Sequence, residues 1–546
     1  MLVRAIVLAV FALPLLLALP WAVIEGASAP GWRALLDDPQ TPRALAATLV
    51  SASASTLLAL ALTLLIVTQL HGSRHWARLA AWLGPMLALP HAAFAIGLAW
   101  LIAPAGWLAR AMAPLAGWAS PPAWQTVNDP HALALVAVLV LKETPFLLWS
   151  AWALLARPET ALILKREVAV ARTLGYPARQ LWWRVLWVLW LPRLAWPLLA
   201  VLAYGMTVVD LALIVGPGSP PTLAVLAWQG LSDGNVQRNA QGAATALALA
   251  LLLALCVAAV VIAWRGIAPL WRRRATGGKR AAAHRGGKLG AGLGLGVTAG
   301  LGAVYVLVVL ALAVLSLAGV WTVPALWPPE PSAAAWLQVL ESAPTVGFTA
   351  ALAVAAAVCS LLLTVAWLEA APPRWDARAA PIVLLPLVLP QLLLMVGLYR
   401  GALALQLDGT RLGLLWVHVL VVLPYVFTAL APAWRSFDVR YEWTALALGR
   451  SRWVFWWRVK WPLLAAPLAS ALAIGFAVSV AQYLSTQFIG AGRHATLTTE
   501  AVTLASGGQR NLAAAFALLQ ALLPLLGFGA AQLVANRRAG PGTIAR

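Results

Sequence analysis

"LGRSRWVFWWRV", residues 448–459, places three arginines among three tryptophans, between two long apolar runs. A second stretch, "LGYPARQLWWRV" at residues 174–185, repeats its frame of Leu-Gly, six residues and Trp-Trp-Arg-Val. The two copies lie 274 residues apart, which is about half of the 546-residue chain. The same cationic, aromatic segment thus occurs once in each half, and this predicts a protein built from two related halves.

The composition indicates a membrane protein. The chain is 62% hydrophobic and 10% charged, whereas a soluble domain carries about 25% charged residues. A transmembrane helix needs about 20 mostly apolar residues. Twelve such runs lie near 5–24, 45–69, 79–103 (interrupted by Pro90), 132–156, 190–216, 243–265, 298–320, 345–368, 380–403, 413–434, 463–488 and 511–535. The predicted fold class is an all-α membrane protein of about twelve transmembrane helices in two repeated six-helix halves.

The net charge of +21 reflects the orientation of the chain in the membrane rather than binding to nucleic acid. With the N-terminus in the cytoplasm, the cytoplasmic loops and ends contain 29 of the 38 Lys and Arg residues and six acids. The outer loops then contain eight basic and nine acidic residues, as the positive-inside rule requires. The basic N-terminus resembles a signal peptide, but its apolar run is long enough to span, so we interpret it as an uncleaved helix. Cys256 and Cys359 lie inside apolar runs, so neither a disulfide nor a metal site is indicated.

Residues 271–296 are basic, Gly-rich and free of acids, which is typical of a flexible linker. Gly-Gly-Lys occurs there twice, but no Ser or Thr follows, so a nucleotide-binding loop is not predicted. The predicted division is a first transmembrane helix with its outer loop (1–44), a first permease module (45–266), the linker (267–297), a seventh helix with its outer loop (298–344), a second module (345–536) and a basic cytoplasmic tail (537–546).

Each copy of the repeat falls in a cytoplasmic loop between the fourth and fifth runs of its half. "ETALILKREVAVARTLG" has the apolar spacing of a helix and stops at Gly175, and "YEWTALALG" stops at Gly449. The pattern predicts a helix, a glycine turn and a second helix against the inner face of the bilayer. An interfacial belt would account for the Trp and Arg content. It would not require a fixed frame, which favours docking to a partner protein.

This element resembles the Glu-Ala-Ala loop of type I ABC importer permeases. That motif reads Glu-Ala-Ala, three residues, Gly, nine residues, Ile-x-Leu-Pro. The second copy matches at Ala445, Gly449 and 459–462, and the first copy matches at Ala171 and Gly175. The acidic residues nearest to the motif's Glu position are Glu167 and Glu442.

Two such modules in one chain resemble the fused permeases of iron(III) and thiamine importers, and most closely a thiamine-type fused permease of Gram-negative bacteria. The resemblance implies the type I ABC permease fold, in the bacterial inner membrane with both termini cytoplasmic. It also implies two copies of a separate ATPase subunit, which bind ATP and Mg, and a periplasmic substrate-binding protein. The chain itself would then be no enzyme and would bind no cofactor. The coupling residues implied are Glu167, Ala171, Gly175, Trp183, Arg184, Glu442, Ala445, Gly449, Trp457 and Arg458.

Charged and polar groups inside the runs are candidate pathway residues, because ionisable side chains in a bilayer are expensive. Lys142 and Glu143 precede Pro145 in the fourth run, and Asp210 lies in the fifth. At the 274-residue offset the counterpart of Asp210 is flanked by Gln482, Tyr483 and Thr486. A proline kink and helix–helix hydrogen bonding are the structural alternatives.

Two other classes of function compete with an ABC permease. A secondary transporter of the major-facilitator type would carry a Gly- and Arg-rich signature between the second and third runs, where "LHGSRHWARLA" lacks one. A polytopic membrane enzyme would need clustered carboxylates or a metal site, and the outer acids are scattered. The transported substrate stays open among thiamine, iron(III), polyamines and inorganic anions.

Overall fold

The computed structural model describes residues 2–176, 178–276 and 287–538. All regular secondary structure in these residues is helical, apart from an isolated β-bridge between Ala318 and Pro331. The prediction of an all-α protein is therefore confirmed. The middle of the predicted linker, 277–286, and residues 539–546 of the predicted tail lie outside the described residues.

Ten helices and two bent helix pairs in the described residues are long and apolar enough to cross a membrane, which agrees with the twelve predicted runs if each bent pair is one span. In chain order, numbered spans 1–12, they are Val3–Gly26, Thr41–Leu70, His91–Ala116, Leu133–Leu155, Trp182–Thr207, Val236–Arg273, Gly292–Ser316, Ala343–Ala370, Pro373–Val388 with Gln391–Ala404, Arg411–Arg435, Arg452–Leu463 with Ala465–Val480, and Arg510–Asn536. The main shorter helices are Ala29–Asp37, Arg74–Ala88, Pro158–Thr173, Asp210–Val215, Leu223–Leu231, Ala334–Glu341, Arg440–Ala447, Leu484–Gly490 and Leu497–Ser506.

Helical structure extends into both ends of the predicted linker. One helix continues from Val236 to Thr276, and the next begins at Gly287. Each residue added to an existing helix gains a backbone hydrogen bond, so a helix can continue past the end of its apolar segment.

The third predicted run of each half is broken at a proline. Arg74–Ala88 ends before Leu89 and Pro90, and His91–Ile102 follows. In the second half, Pro373–Val388 and Gln391–Ala404 meet at Pro390 with a bend of 104°. A residue before proline is pushed out of the helical region, and Leu89 is accordingly extended. The predicted straight run 380–403 is therefore wrong.

The fifth run of each half is broken as well, although 190–216 and 463–488 were predicted as continuous. One break separates Ala195–Thr207 from Asp210–Val215, and the other separates Ala465–Val480 from Leu484–Gly490. Asp210 and Leu484, which begin the short helices, are 274 residues apart. Hydropathy cannot reveal such breaks, because irregular backbone at membrane depth is tolerated where protein or a cavity surrounds it.

Each half contains a hydrogen bond that is equivalent to one in the other half. The Thr48 hydroxyl accepts a hydrogen bond from the backbone N–H of Leu223 at 2.9 Å. In the second half, the Thr349 hydroxyl accepts one from the N–H of Leu497 at 3.0 Å. The accepting threonines lie in spans 2 and 8, and the donors begin helices related by the 274-residue offset. The repeat read from the sequence is thus a repeat of three-dimensional structure.

The first helix of each half packs against the opposite half. Phe11, Leu15 and Ala18 of span 1 are buried in a cluster with residues of the second half, including Leu394 and Leu398. Span 7 makes the reciprocal contact, because its buried residues belong to a cluster formed mainly by the first half. The two halves are therefore interlocked.

Candidate functional site

Both loops that are predicted to couple to an ATPase, here called the coupling loops, have the predicted arrangement of a helix, a glycine turn and a second helix. Pro158–Thr173 ends at Gly175 with φ +80°, and Arg440–Ala447 ends at Gly449 with φ +69°. The carbonyls of Ala171 and Ala445 accept hydrogen bonds at 3.0 Å from the N–H groups five residues further on. This is the Schellman pattern, which needs a left-handed residue after the helix. The alanines of the motif thus supply the carbonyls that close the turn.

Each loop presents large apolar side chains to solvent. In the first loop, Val170 and Leu174 are exposed. In the second, Trp443, Leu448 and Trp453 are each more than half exposed. Contiguous apolar surface rimmed by charge usually marks a contact with another protein or a membrane. Composition had suggested this surface, but only the turn geometry places it around the glycine.

The two acidic residues predicted for coupling, Glu167 and Glu442, face their own chain. Glu442 accepts hydrogen bonds from Arg452 across the glycine turn, at 2.9 Å from Nε and 2.8 Å from the second guanidinium nitrogen. Glu167 is half-buried in the first helix of its loop, and loss of hydration raises the pKa of its carboxyl above the usual range. Glu442 therefore stabilises the turn at Gly449, whereas Glu167 lies in a poorly hydrated environment.

The Trp-Trp-Arg segment forms one turn of π-helix in both copies. Trp182–Leu186 and Trp456–Lys460 have the wider i→i+5 winding, which rotates the residues that follow and is frequent at functional sites. Trp183, Trp457 and Arg458 are exposed, whereas Arg184 is half-buried. The Trp183 carbonyl accepts a hydrogen bond from the Trp271 indole at 2.9 Å, which ties the first loop to span 6.

Lys142 and Glu143 have different partners, as expected for adjacent residues on a helix. Lys142 is buried, and its ammonium donates hydrogen bonds to the carbonyls of Met86 at 3.1 Å and Leu89 at 2.7 Å. These carbonyls lie at the broken end of Arg74–Ala88, where intrahelical donors are missing. Lys142 thus has a structural partner, the helix break.

Glu143 and Asp210 belong to a polar group between the halves. Glu143 lies 3.5 Å from Nε2 of His91, and the His91 ring packs on the Tyr204 ring with centroids 4.9 Å apart. The Tyr204 hydroxyl lies within electrostatic range of Glu143, Asp210 and Tyr425. Because Tyr425 belongs to span 10, this group joins side chains from both halves.

Asp210, the first residue of the short helix Asp210–Val215, interacts with a second tyrosine, Tyr483. Asp210 is half-buried and interacts electrostatically with Tyr483, which is buried at the equivalent break of the second half. Tyr425 is 38% exposed in the middle of its span, yet it lies within range of Glu143 and Tyr204. Tyr425 thus combines a partly exposed ring with polar neighbours from the first half.

The remaining candidates, Gln482 and Thr486, bond to different spans of the second half. Gln482 accepts a hydrogen bond from Gln391 at 3.0 Å. Thr486 is buried and bonds Nε2 of His418 at 3.1 Å, so it packs between helices. Sequence reasoning missed His91, Tyr204, Gln391, His418 and Tyr425. The available signal was the proline that precedes both His91 and Gln391 at an offset of 300 residues.

Comparison with known proteins resolves the class. No protein-family model matches the chain. Over 534 residues it is 37% identical to the inner membrane ABC transporter permease protein YnjC of Escherichia coli K12, covering 97% of this chain and 95% of that protein. A stretch of 131 residues is 29% identical to the molybdenum transport system permease protein ModB of Mycobacterium tuberculosis, covering 22% of this chain and half of ModB.

The long alignment excludes the secondary-transporter and membrane-enzyme alternatives. In this family the permease crosses the inner membrane several times, and ATP hydrolysis resides in partner subunits. The helical spans and the absence of a strand within the described residues agree with that architecture. The chain belongs to the inner membrane ABC transporter permeases, as the membrane-spanning subunit of an importer.

Proposed function

We propose that the chain is a fused permease of the iron(III)- and thiamine-importer kind, with one ATPase subunit docked on each coupling loop. The observation that carries this proposal is the duplicated glycine turn, which presents an exposed apolar face in each half. Two identical ATPase subunits would need two such sites. The chain would bind no cofactor, because ATP and Mg would bind to the ATPases.

The proposed orientation places both termini and both loops in the cytoplasm, in agreement with the distribution of Lys and Arg. A periplasmic substrate-binding protein would then deliver substrate to the opposite face. The similarity to ModB covers only 22% of this chain, so it does not decide the substrate.

Labelling of a cysteine in the glycine turn tests the docking proposal. In a variant without Cys256 and Cys359, we expect Arg450→Cys to react with a membrane-impermeant maleimide only from the cytoplasmic side. Bound ATPase should slow this reaction about tenfold, because the core of a protein interface excludes water. Gln237→Cys, in the exposed first turn of span 6, should react only from outside and be unaffected by ATPase. Reaction at position 450 from the outer side would refute the proposed topology.

We further propose that Glu143, Asp210, Tyr483 and Gln482 line the pathway, whereas Lys142 and Thr486 support it structurally. Two arguments favour this assignment. Asp210 and Tyr483 lie at the equivalent helix breaks that follow spans 5 and 11 and interact electrostatically, and transporters build central sites from interrupted helices of two repeats.

Asp210→Asn removes the charge while keeping the size of the side chain. We expect uptake to fall at least about tenfold, which is the effect of about 1.4 kcal/mol in binding. Uptake would be measured with a panel of radiolabelled thiamine, iron(III) citrate, putrescine and molybdate, one of which the wild type should import. Asp233→Asn, in an exposed outer loop, is the matched control. Wild-type uptake by Asp210→Asn would remove this carboxylate from the pathway.

A further inference from the structure

Lys460 is the last residue of the π-helical turn Trp456–Lys460, and its side chain points into the protein. Its ammonium donates to both carboxylate oxygens of Glu369, at 2.8 and 2.7 Å. The same ammonium lies 4.4 Å from the Trp434 ring centroid and 5.5 Å from that of Trp456. Only 10% of the Lys460 side chain is exposed, against 28% of the Glu369 side chain, so the ammonium is shielded from solvent while the carboxylate is partly hydrated.

The pair joins two elements that are otherwise separated by open space. Glu369 lies at the cytoplasmic end of span 8, whereas Lys460 lies in the first segment of span 11, Arg452–Leu463, which directly follows the glycine turn of the second coupling loop. A cavity of about 740 Å³ opens between them, lined by Glu369, Trp434, Arg452 and Lys460 among others. Lys460 therefore bridges the rim of a gap. A movement of the loop can reach span 8 directly through this contact.

The first half makes the same connection with different chemistry. The residues that correspond to Lys460 and Glu369 are Leu186 and Thr68, at offsets of 274 and 301. Neither can carry a charge. There the Trp187 indole N–H donates to the Thr68 hydroxyl at 2.9 Å, so a neutral hydrogen bond joins loop and span. The donor lies one residue after the counterpart of Lys460, so the first half joins the equivalent segments through a different residue and without a charge.

We propose that Lys460 is a positioning residue that transmits movement of the second coupling loop to span 8 through its ion pair with Glu369, while the first loop uses the neutral Trp187–Thr68 bond. This inference rests on the docking function proposed above. Removal of Glu369 would leave the buried Lys460 ammonium without its counter-ion, which is costly, and removal of Lys460 would break the link to span 8. The second half is consequently the more vulnerable to a single substitution.

The test separates attachment of the ATPase from transmission of its movement. The chain, tagged and purified with its ATPase, would carry Tyr425→Cys as the reporter in a background without Cys256 and Cys359. Thiol labelling would be compared without nucleotide and after ATP–vanadate trapping. In the reporter background we expect the labelling rate to change about fivefold between the two states, because their populations shift.

Lys460→Met should retain the bound ATPase and its ATP hydrolysis, but lower the nucleotide-driven labelling change to less than about twofold. The charge swap Glu369→Lys with Lys460→Glu should restore it, and so should the conservative Lys460→Arg. Arg378→Gln, which removes an exposed cytoplasmic charge outside the loops, is the matched control.

A full labelling response in Lys460→Met, or failure of the charge swap to restore it, would overturn the proposal. Loss of the ATPase from Lys460→Met would also overturn it, since the residue would then serve docking rather than transmission. Failure of the docking function itself is distinguishable, because the chain without any substitution at position 460 would then purify without an ATPase.

Discussion

Valine at both Gly175 and Gly449 is expected to abolish ATPase attachment and transport, while the protein still inserts into the membrane. Both glycines have positive φ, a conformation that costs an L-residue about 1–2 kcal/mol and more for a β-branched one. A Cβ on Gly449 would meet no atom within 4 Å, so the penalty is conformational rather than steric. A penalty of about 2 kcal/mol in each turn lowers its native population about 30-fold. The measurement is the amount of ATPase that co-purifies with each chain, together with uptake.

Asparagine at the same two positions is the matched control. Asn adopts the left-handed conformation more readily than other non-glycine residues, so this variant should keep most of the attached ATPase. Membrane insertion should be unchanged in both variants, because the turns lie outside the spans. ATPase attachment to the valine variant at the wild-type level would show that the glycine turns are not the docking elements.

Gly397→Val is expected to separate span 1 from the second half and to destabilise the fold. A Cβ on Gly397 would lie 1.9 Å from the carbonyl oxygen of Ala18 and 2.5 Å from its carbon. Both are backbone atoms, so span 1 itself must move. Phe11 and Leu15 would then lose their packing against the second half. Overpacking in a core costs about 1–3 kcal/mol and occasionally more, and a helix-wide displacement belongs at the upper end. The measurement is the fraction of protein that stays monodisperse in size-exclusion chromatography after mild heating in detergent.

Two other glycines provide the comparison. Gly401 lies one turn further along the same helix, and a Cβ there meets only the Trp416 ring at 3.8 Å, so Gly401→Ala should be tolerated. Gly97 is the counterpart of Gly397 in the first half, and its Cβ would lie 2.9 Å from the carbonyl oxygen of Val308 in span 7. Gly97→Val should therefore also destabilise the protein. Equal stability of Gly397→Val and Gly401→Ala would contradict the interlocked arrangement.

Several features of the site were readable from the sequence because they depend on neighbouring residues. The end of a helix at Gly175 or Gly449 follows from the conformational freedom of glycine. The different partners of Lys142 and Glu143 follow from the rotation of about 100° between adjacent helical residues. The identity of those partners did not follow, since the carbonyls of Met86 and Leu89 become free only where another helix breaks.

The helical class, the number of spans, their repetition and the glycine turns of the loops were all predictable from the order of residues. Hydrophobic length, the placement of charge and the backbone freedom of glycine act locally, so each leaves a direct trace in that order. The packing of span 1 on the second half, the approach of Tyr425 to Glu143 and the pairing of Lys460 with Glu369 were not predictable in this way. These contacts join residues far apart in the chain, and their energies depend on which surfaces meet after the spans have packed.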